Sequence, residues 1–228
     1  MKAVLISFLL LVNISLFGQV MLEEVNFERI PFKKVCSFIN EQIENKVTTI
    51  YDLHPTLKRK SVPDEFYCQE LHYKIDEDLP TVWKRYIQTS PAESWDGKRV
   101  SFGLLCSKPS ERVVYRGGEF SKIDTGQVIF LNLRLLRGVY NLALAFEIID
   151  VDEENKIVEF SYIEGNKSKG KQCLKFRPTQ DGKTEIIHTS YFQSNSKVRD
   201  KFLYPFFHKR ATNEFHRNMK KIIKEKDS

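Results

Sequence analysis

The sequence is poor in the short motifs that announce a reaction. Gly117-Gly118 is followed by neither a Lys-Ser/Thr pair nor a capped helix, so the nucleotide phosphate loop is missing. HExxH, GxSxG and the acidic calcium loop are also absent, which removes the commonest zinc-peptidase, serine-hydrolase and calcium-switch readings. Cysteine is scarce: Cys36, Cys68, Cys106 and Cys173 are far apart, excluding the paired CxxC spacing of redox and zinc motifs. They leave two options, a pair of disulfides with three possible connectivities or four small thiols. One-signed charge is missing too. The 36 basic and 30 acidic residues are interspersed for a net +6, with no basic arm, so nothing marks a nucleic-acid partner. The densest basic run, Lys220, Lys221, Lys224 and Lys226, reads as cations complementing a helix C-terminus. Of the five histidines, only His208 and His216 suggest a helical pair, and two turns set them ~12 Å apart, too far to share an ion. No metal or cofactor is implied.

What is present begins with a leader. Met1-Lys2, the apolar run Ala3 to Val12 and the small Gly18 have the layout of a cleavable secretory signal over residues 1–18, which places the protein in a secreted or periplasmic setting. The run is shorter than the ~20 residues a membrane span needs, and no later run is long enough, so no stable span is expected after cleavage. Residues 19–60 read as a helical extension and connector. Pro31 opens a helix whose stripe is Phe32, Val35, Cys36, Ile39, Ile43, Val47 and Ile50, and the proline-containing stretch from Leu53 to Pro63 is expected to separate it from a main domain over residues 61–228.

That domain has a consistent order. Alternation from Phe66 to Ile75 marks a strand, Asp78 and Pro80 start a helix, and Ser90-Pro91 ends it before a short turn through Trp95. A strand over Val100 to Cys106 is followed by a polar excursion from Lys108 to Asp124. The longest apolar strands come next, Gln127 to Leu136 and Leu142 to Val151, turning at Arg137-Gly138. Three strand-like segments then occupy residues 156–165, 170–178 and 183–193, separated by Gly165-Asn166 and Asp181-Gly182. Last comes a long helix with Phe207, Ala211, Phe215, Met219 and Ile222 or Ile223 on one side, starting or bending at Pro205, with Val198 to Tyr204 as a gate before it. Its greasy face needs a sheet to lie on.

This order resembles the START-like (SRPBCC) helix-grip superfamily, which includes pollen-allergen-type proteins, polyketide cyclases and lipid-transfer domains. The resemblance spans about residues 66–224. Phe160-Ser-Tyr162, Gly165, Gly170, Phe176, the segment from Ser194 to Arg199 and Tyr204-Pro205 look like an uncharacterised branch of it. It implies an α+β fold in which a curved antiparallel sheet wraps around the C-terminal helix, here with an extra N-terminal helix, and a ligand cavity between sheet and helix.

Strand parity nominates the lining: Phe146, Phe160, Tyr162, Leu174, Phe176 and Phe192, facing Phe207 and Phe215 of the helix. His188 shares the inner parity of Ile186 and Phe192. It is either a general base, with Tyr162 or Tyr191 beside it in a cyclase- or hydrolase-type enzyme, or a hydrogen-bonded histidine in an apolar wall. The favoured reading is a non-catalytic binder of a hydrophobic small molecule or lipid; the other alternative is an envelope interaction protein whose N-terminal helix docks on a partner. The volume between helix and sheet discriminates, because less than ~300 Å³ would mean a packed core.

Overall fold

The computed structural model describes residues 19–58 and 62–226; the expected leader, residues 1–18, lies outside them. In chain order the elements are α1 (Lys33–Glu44), β1 (Tyr67–Ile75), α2 (Leu79–Gln88), α3 (Pro91–Ser94), β2 (Val100–Ser107), β3 (Arg112–Tyr115), β4 (Gln127–Leu135), β5 (Tyr140–Asp152), β6 (Ile157–Tyr162), β7 (Lys169–Pro178), β8 (Thr184–Gln193) and α4 (Tyr204–Lys226). The eight strands form one antiparallel sheet in the order β1-β8-β7-β6-β5-β4-β2-β3. From β4 to β8 each strand pairs with its successor, as short turns allow. α2 and α3 carry the chain from β1 at one edge to β2 near the other. Asp78 caps α2 by accepting from Thr81 N at 2.8 Å, and Ser90 caps α3.

Each face of the sheet has its own core. On the inner face α4 lies with α2 and α3 over Phe102, Ile129, Leu131, Phe146, Phe160, Phe176 and Ile186. On the outer face α1 and the flanking turns cover Leu104, Val128, Phe130, Ala145 and Ile163. β2 is buried at every residue because a bulge between Phe102 and Leu104 resets its parity and both faces are covered. The continuous apolar reading of β4 has the same cause.

Two expectations need correction. The segment after Leu53 does not separate the N-terminal helix from the domain: Thr56 N donates to Tyr162 O at 2.7 Å, Glu164 N donates to His54 O at 2.9 Å, and Ile50 and Leu53 are fully buried. Its prolines permit an edge bridge between Pro55 and Ile163 rather than a free linker. Because Val35, Phe38 and Ile39 are spent on the sheet, the apolar side of α1 is occupied within the chain. α1 also ends at Glu44, so Val47 and Ile50 reach the same core from the turn beyond it. Second, the excursion from Lys108 to Asp124 contains β3, a four-residue edge strand too short to show alternation. Of the two options open for the cysteines the structure has the second, four free thiols; Cys106 is buried, which pushes its pKa up to about 12.

Gly165 is required by this packing. Its φ is +86°, and a Cβ there would meet Gln42 Nε2 of α1 at 2.2 Å.

Candidate functional site

Between α4 and the inner face lies a cavity of about 890 Å³, within the range of small-molecule sites and well above a packing defect. Its wall is largely apolar: Leu131, Leu133, Leu142, Leu144, Phe146 and Phe160 from the sheet, Trp95 from the turn after α3, and Phe207 and Ala211 from α4.

Four of the nominated residues, Phe146, Phe160, Tyr162 and Phe207, line this space. The other five are on the inner side but closed off from it. Phe176 packs edge-on against Trp83 and Tyr86 of α2, with ring centres 5.3 and 4.9 Å apart. Phe192 stacks on Tyr204 at 3.6 Å, Phe215 stacks on Trp95 at 4.2 Å, and Leu174 is buried in the same core. Parity assigns a residue to a face, but the helices crossing that face decide whether it meets space or another side chain.

His188 is the fifth, and it is wholly buried beside the cavity. Its Nε2 donates to Gln172 Oε1 at 2.7 Å, so its Nδ1 accepts from His216 Nε2, 3.0 Å away, and His216 Nδ1 accepts from Tyr86 OH at 2.9 Å. Gln172 reaches the cavity from the other side, where its amide donates to Tyr162 OH at 2.8 Å; Tyr162 OH is in turn hydrogen-bonded to Tyr204 OH. His208 stands beside the network with Nδ1 2.9 Å from Gln69 Oε1 and Nε2 3.0 Å from Gln172 Oε1 and 3.1 Å from Ser190 Oγ; a neutral ring donates to only one of the two amide oxygens. His208 and His216 thus flank His188 of β8, with ring centres 5.4 and 5.3 Å from it. Their separation along α4 still keeps them off a common ion, and among the described residues no group of His, Cys, Asp and Glu is arranged to hold a metal.

This network is polar but neutral. Burial depresses His208 and His216 to about 3, and burial together with the neighbouring histidines holds His188 well below the ordinary imidazole value. Burial pushes Tyr162 up to about 12 despite its two hydrogen bonds. A histidine whose ring nitrogens are both engaged, and which lies behind Gln172, has no lone pair to offer a molecule in the cavity. Tyr191 is further removed, since alternation along β8 turns it to the outer face.

Charge in the lining has one sign. Lys98 and Arg99 before β2, Arg134 and Arg137 at the β4–β5 hairpin, Lys167 between β6 and β7, and Arg199 and Arg210 around the start of α4 all contribute, and no Asp or Glu does. Arg99 has a carboxylate partner, Glu214 at 3.7 Å. Arg134 and Arg199 donate to carbonyls, Gly97 O and Lys167 O, each at 2.9 Å. The sequence hides this concentration, because the seven cations come from four separate stretches. A short π-helical turn, Arg199–Leu203, precedes α4, where Pro205 lacks the N–H that would continue a regular ladder backward. The turn brings Arg199 and Leu203 to the cavity, where a gate was expected.

No protein family matches the chain, and no curated protein matches it in sequence. Solved structures do match in shape. A norcoclaurine synthase point mutant from Thalictrum flavum, in complex with a transition state analogue, is 13% identical over 74% of this chain and 100% of its own, with a TM-score of 0.54. The enzyme from the same plant in complex with dopamine and hydroxybenzaldehyde is 13% identical over 74% of this chain and 96% of its own, with a TM-score of 0.50. Identity this low speaks for architecture alone: the chain has the helix-grip fold, a curved antiparallel sheet closed on a long C-terminal helix, with α1 added on the outer face.

Proposed function

We propose that the protein is a non-catalytic carrier, exported through its leader to a secreted or periplasmic location, which holds an amphiphile with an acidic end. The apolar part of the ligand lies among Leu131, Leu144, Phe146 and Phe160, and the acid group is met by the basic lining. The observation that supports this reading is a cavity of about 890 Å³ whose charged lining is wholly basic. A chain-like ligand gains about 25 cal/mol for each Å² of apolar surface it buries, and its anion escapes the cost of an unpaired charge. Gln172, Tyr162 and Tyr204 offer a neutral polar patch for a second oxygen.

Protein recovered from its source compartment should carry lipid-extractable acid, seen by native mass spectrometry. In displacement of a fluorescent fatty-acid probe, long-chain carboxylic acids should compete roughly tenfold better than alcohols of equal chain length, the difference expected for one partly exposed ion pair. Lys98→Ala with Lys167→Ala should narrow that gap without loss of folding. Empty protein that ignores both acids and alcohols would sink the proposal. If substrate profiling finds turnover instead, comparison with His188→Ala decides whether that histidine takes part.

A further inference from the structure

Large apolar side chains left in water are the anomaly on this surface. Of the eight exposed among the described residues, seven fall on two short segments: Leu136, Val139 and Tyr140 at the β4–β5 tip, and Val198, Phe202, Leu203 and Phe206 around the start of α4. Val139 is 86% exposed, Leu136 64% and Phe202 60%, so these are not margins of the core. Both segments border one cavity, since Leu136, Tyr140 and Leu203 belong to its lining. Soluble proteins scatter exposed apolar residues singly; a cluster rimmed by polar groups marks a place of contact.

The charge around the cluster says with what. Residues 134–140 contain Arg134 and Arg137 and no acid. Residues 197–210 contain five Lys or Arg and a single acid, Asp200, which is buried and accepts from Ser194 N at 2.9 Å. The surface offered is therefore apolar tips within a cationic field. The tip itself is held in an unusual backbone: Leu136, Arg137 and Gly138 have φ of +48°, +60° and +93° in succession, conformations that a leucine and an arginine adopt at a cost. It leaves Leu136 beside Arg137 at the mouth of the cavity, 64% exposed.

We infer that the β4–β5 tip and the lead-in to α4 together dock this protein on an anionic lipid bilayer, the apolar side chains entering the acyl boundary while the surrounding Lys and Arg meet acidic headgroups. The two contributions are those of interfacial anchors generally, buried apolar area and attraction to anionic lipid. Docking in this way would turn the mouth of the cavity toward the membrane. It does not depend on what the cavity holds.

The test is co-sedimentation with vesicles of phosphatidylcholine alone and of phosphatidylcholine with phosphatidylglycerol, using the same full chain throughout so that the N-terminus contributes equally to every arm. Wild type should bind the anionic vesicles at least roughly tenfold more tightly than the neutral ones, and added salt should weaken that binding. Val139→Glu combined with Phe202→Glu should lower anionic-vesicle binding by roughly tenfold or more. Both positions are exposed, so the melting temperature and the uptake of a fluorescent fatty-acid probe should stay unchanged, which separates failure of docking from failure of the carrier reading. Arg137→Glu with Lys201→Glu should remove most of the preference for anionic lipid. Variants that sediment like wild type, or binding indifferent to lipid charge, would overturn the inference. So would a dimer in analytical ultracentrifugation that Val139→Glu abolishes without any vesicle binding, which would give the patch to a second copy.

Discussion

At the scale of the residue, the clearest consequence of the structure is the set of buried histidines. His188, His208 and His216 are kept neutral by desolvation, while in the unfolded chain each titrates near 6.5. As pH falls below 6.5 the unfolded state takes up protons that the folded state refuses, so stability drops steadily toward the folded values, about 3 for His208 and His216. Above 6.5 the three contribute no slope. His72 acts in the opposite sense, because hydrogen bonds to Glu185 and Glu70 raise its pKa, but its half-exposed side chain makes this a screened, smaller effect. Urea midpoints should therefore fall between pH ~7 and ~5, a window in which most carboxylates stay ionised. A flat profile would mean that water reaches the network. The sequence made His188 visible through parity alone. Gln172 is its neighbour across the β7–β8 hairpin, whose register parity does not give, and His216 comes from the helix that follows, 28 residues on.

At the scale of the element, α4 does two jobs with adjacent residues. Phe215 is clamped by the Trp95 stack and by Tyr86 edge-on at 5.9 Å, so Phe215→Ala should cost ~3 to 5 kcal/mol through lost burial and the cavity left behind. Arg217→Ala, on the exposed side, should change stability by no more than about 0.5 kcal/mol. Glu214 is the less obvious position. It accepts from the backbone N–H groups of Lys98, Arg99 and Val100 at 3.1, 2.7 and 3.0 Å, tying α4 to the start of β2. Gly97 makes room for it, as a Cβ there would lie 2.2 Å from Glu214 Oε2. Glu214→Ala leaves three donors without their acceptor and should cost about 2 to 4 kcal/mol. Thermal and urea melts of the three variants should rank Arg217→Ala mildest; equal melting behaviour would mean that the sheet does not grip α4. The helical stripe made Phe215 and Met219 readable, and it resolves in favour of Ile223, fully buried, over Ile222. Glu214 had no such signal, because one glutamate among charged neighbours looks like a solvated face.

At the scale of the whole molecule, the proposal of an exported carrier makes a prediction about mass. Intact mass of protein from its producing cell should lack the first 18 or so residues, as a short apolar stretch ending at a small residue is a cleavage signal. Met1 retained on a membrane-bound form would show an anchor instead, and would then account for membrane attachment without the surface patch. Free Cys36, Cys68, Cys106 and Cys173 fit either outcome, because stability here rests on two cores rather than on crosslinks.

What the sequence determined by itself is what short-range periodicity can encode: the strand and helix order apart from the four-residue β3, the inner and outer parity of β5 to β8, the greasy stripe of α4 and its break at Pro205. Tertiary structure alone decided the rest. Phe160 and Phe176 have the same parity and chemistry, yet one faces the cavity and the other meets α2, which arrives from residues 79–88. The basic lining, the histidine network and the apolar cluster at the mouth are likewise sums over distant segments. A side chain's face follows from its own backbone, whereas the occupant of the space opposite depends on how the whole chain returns to fill it.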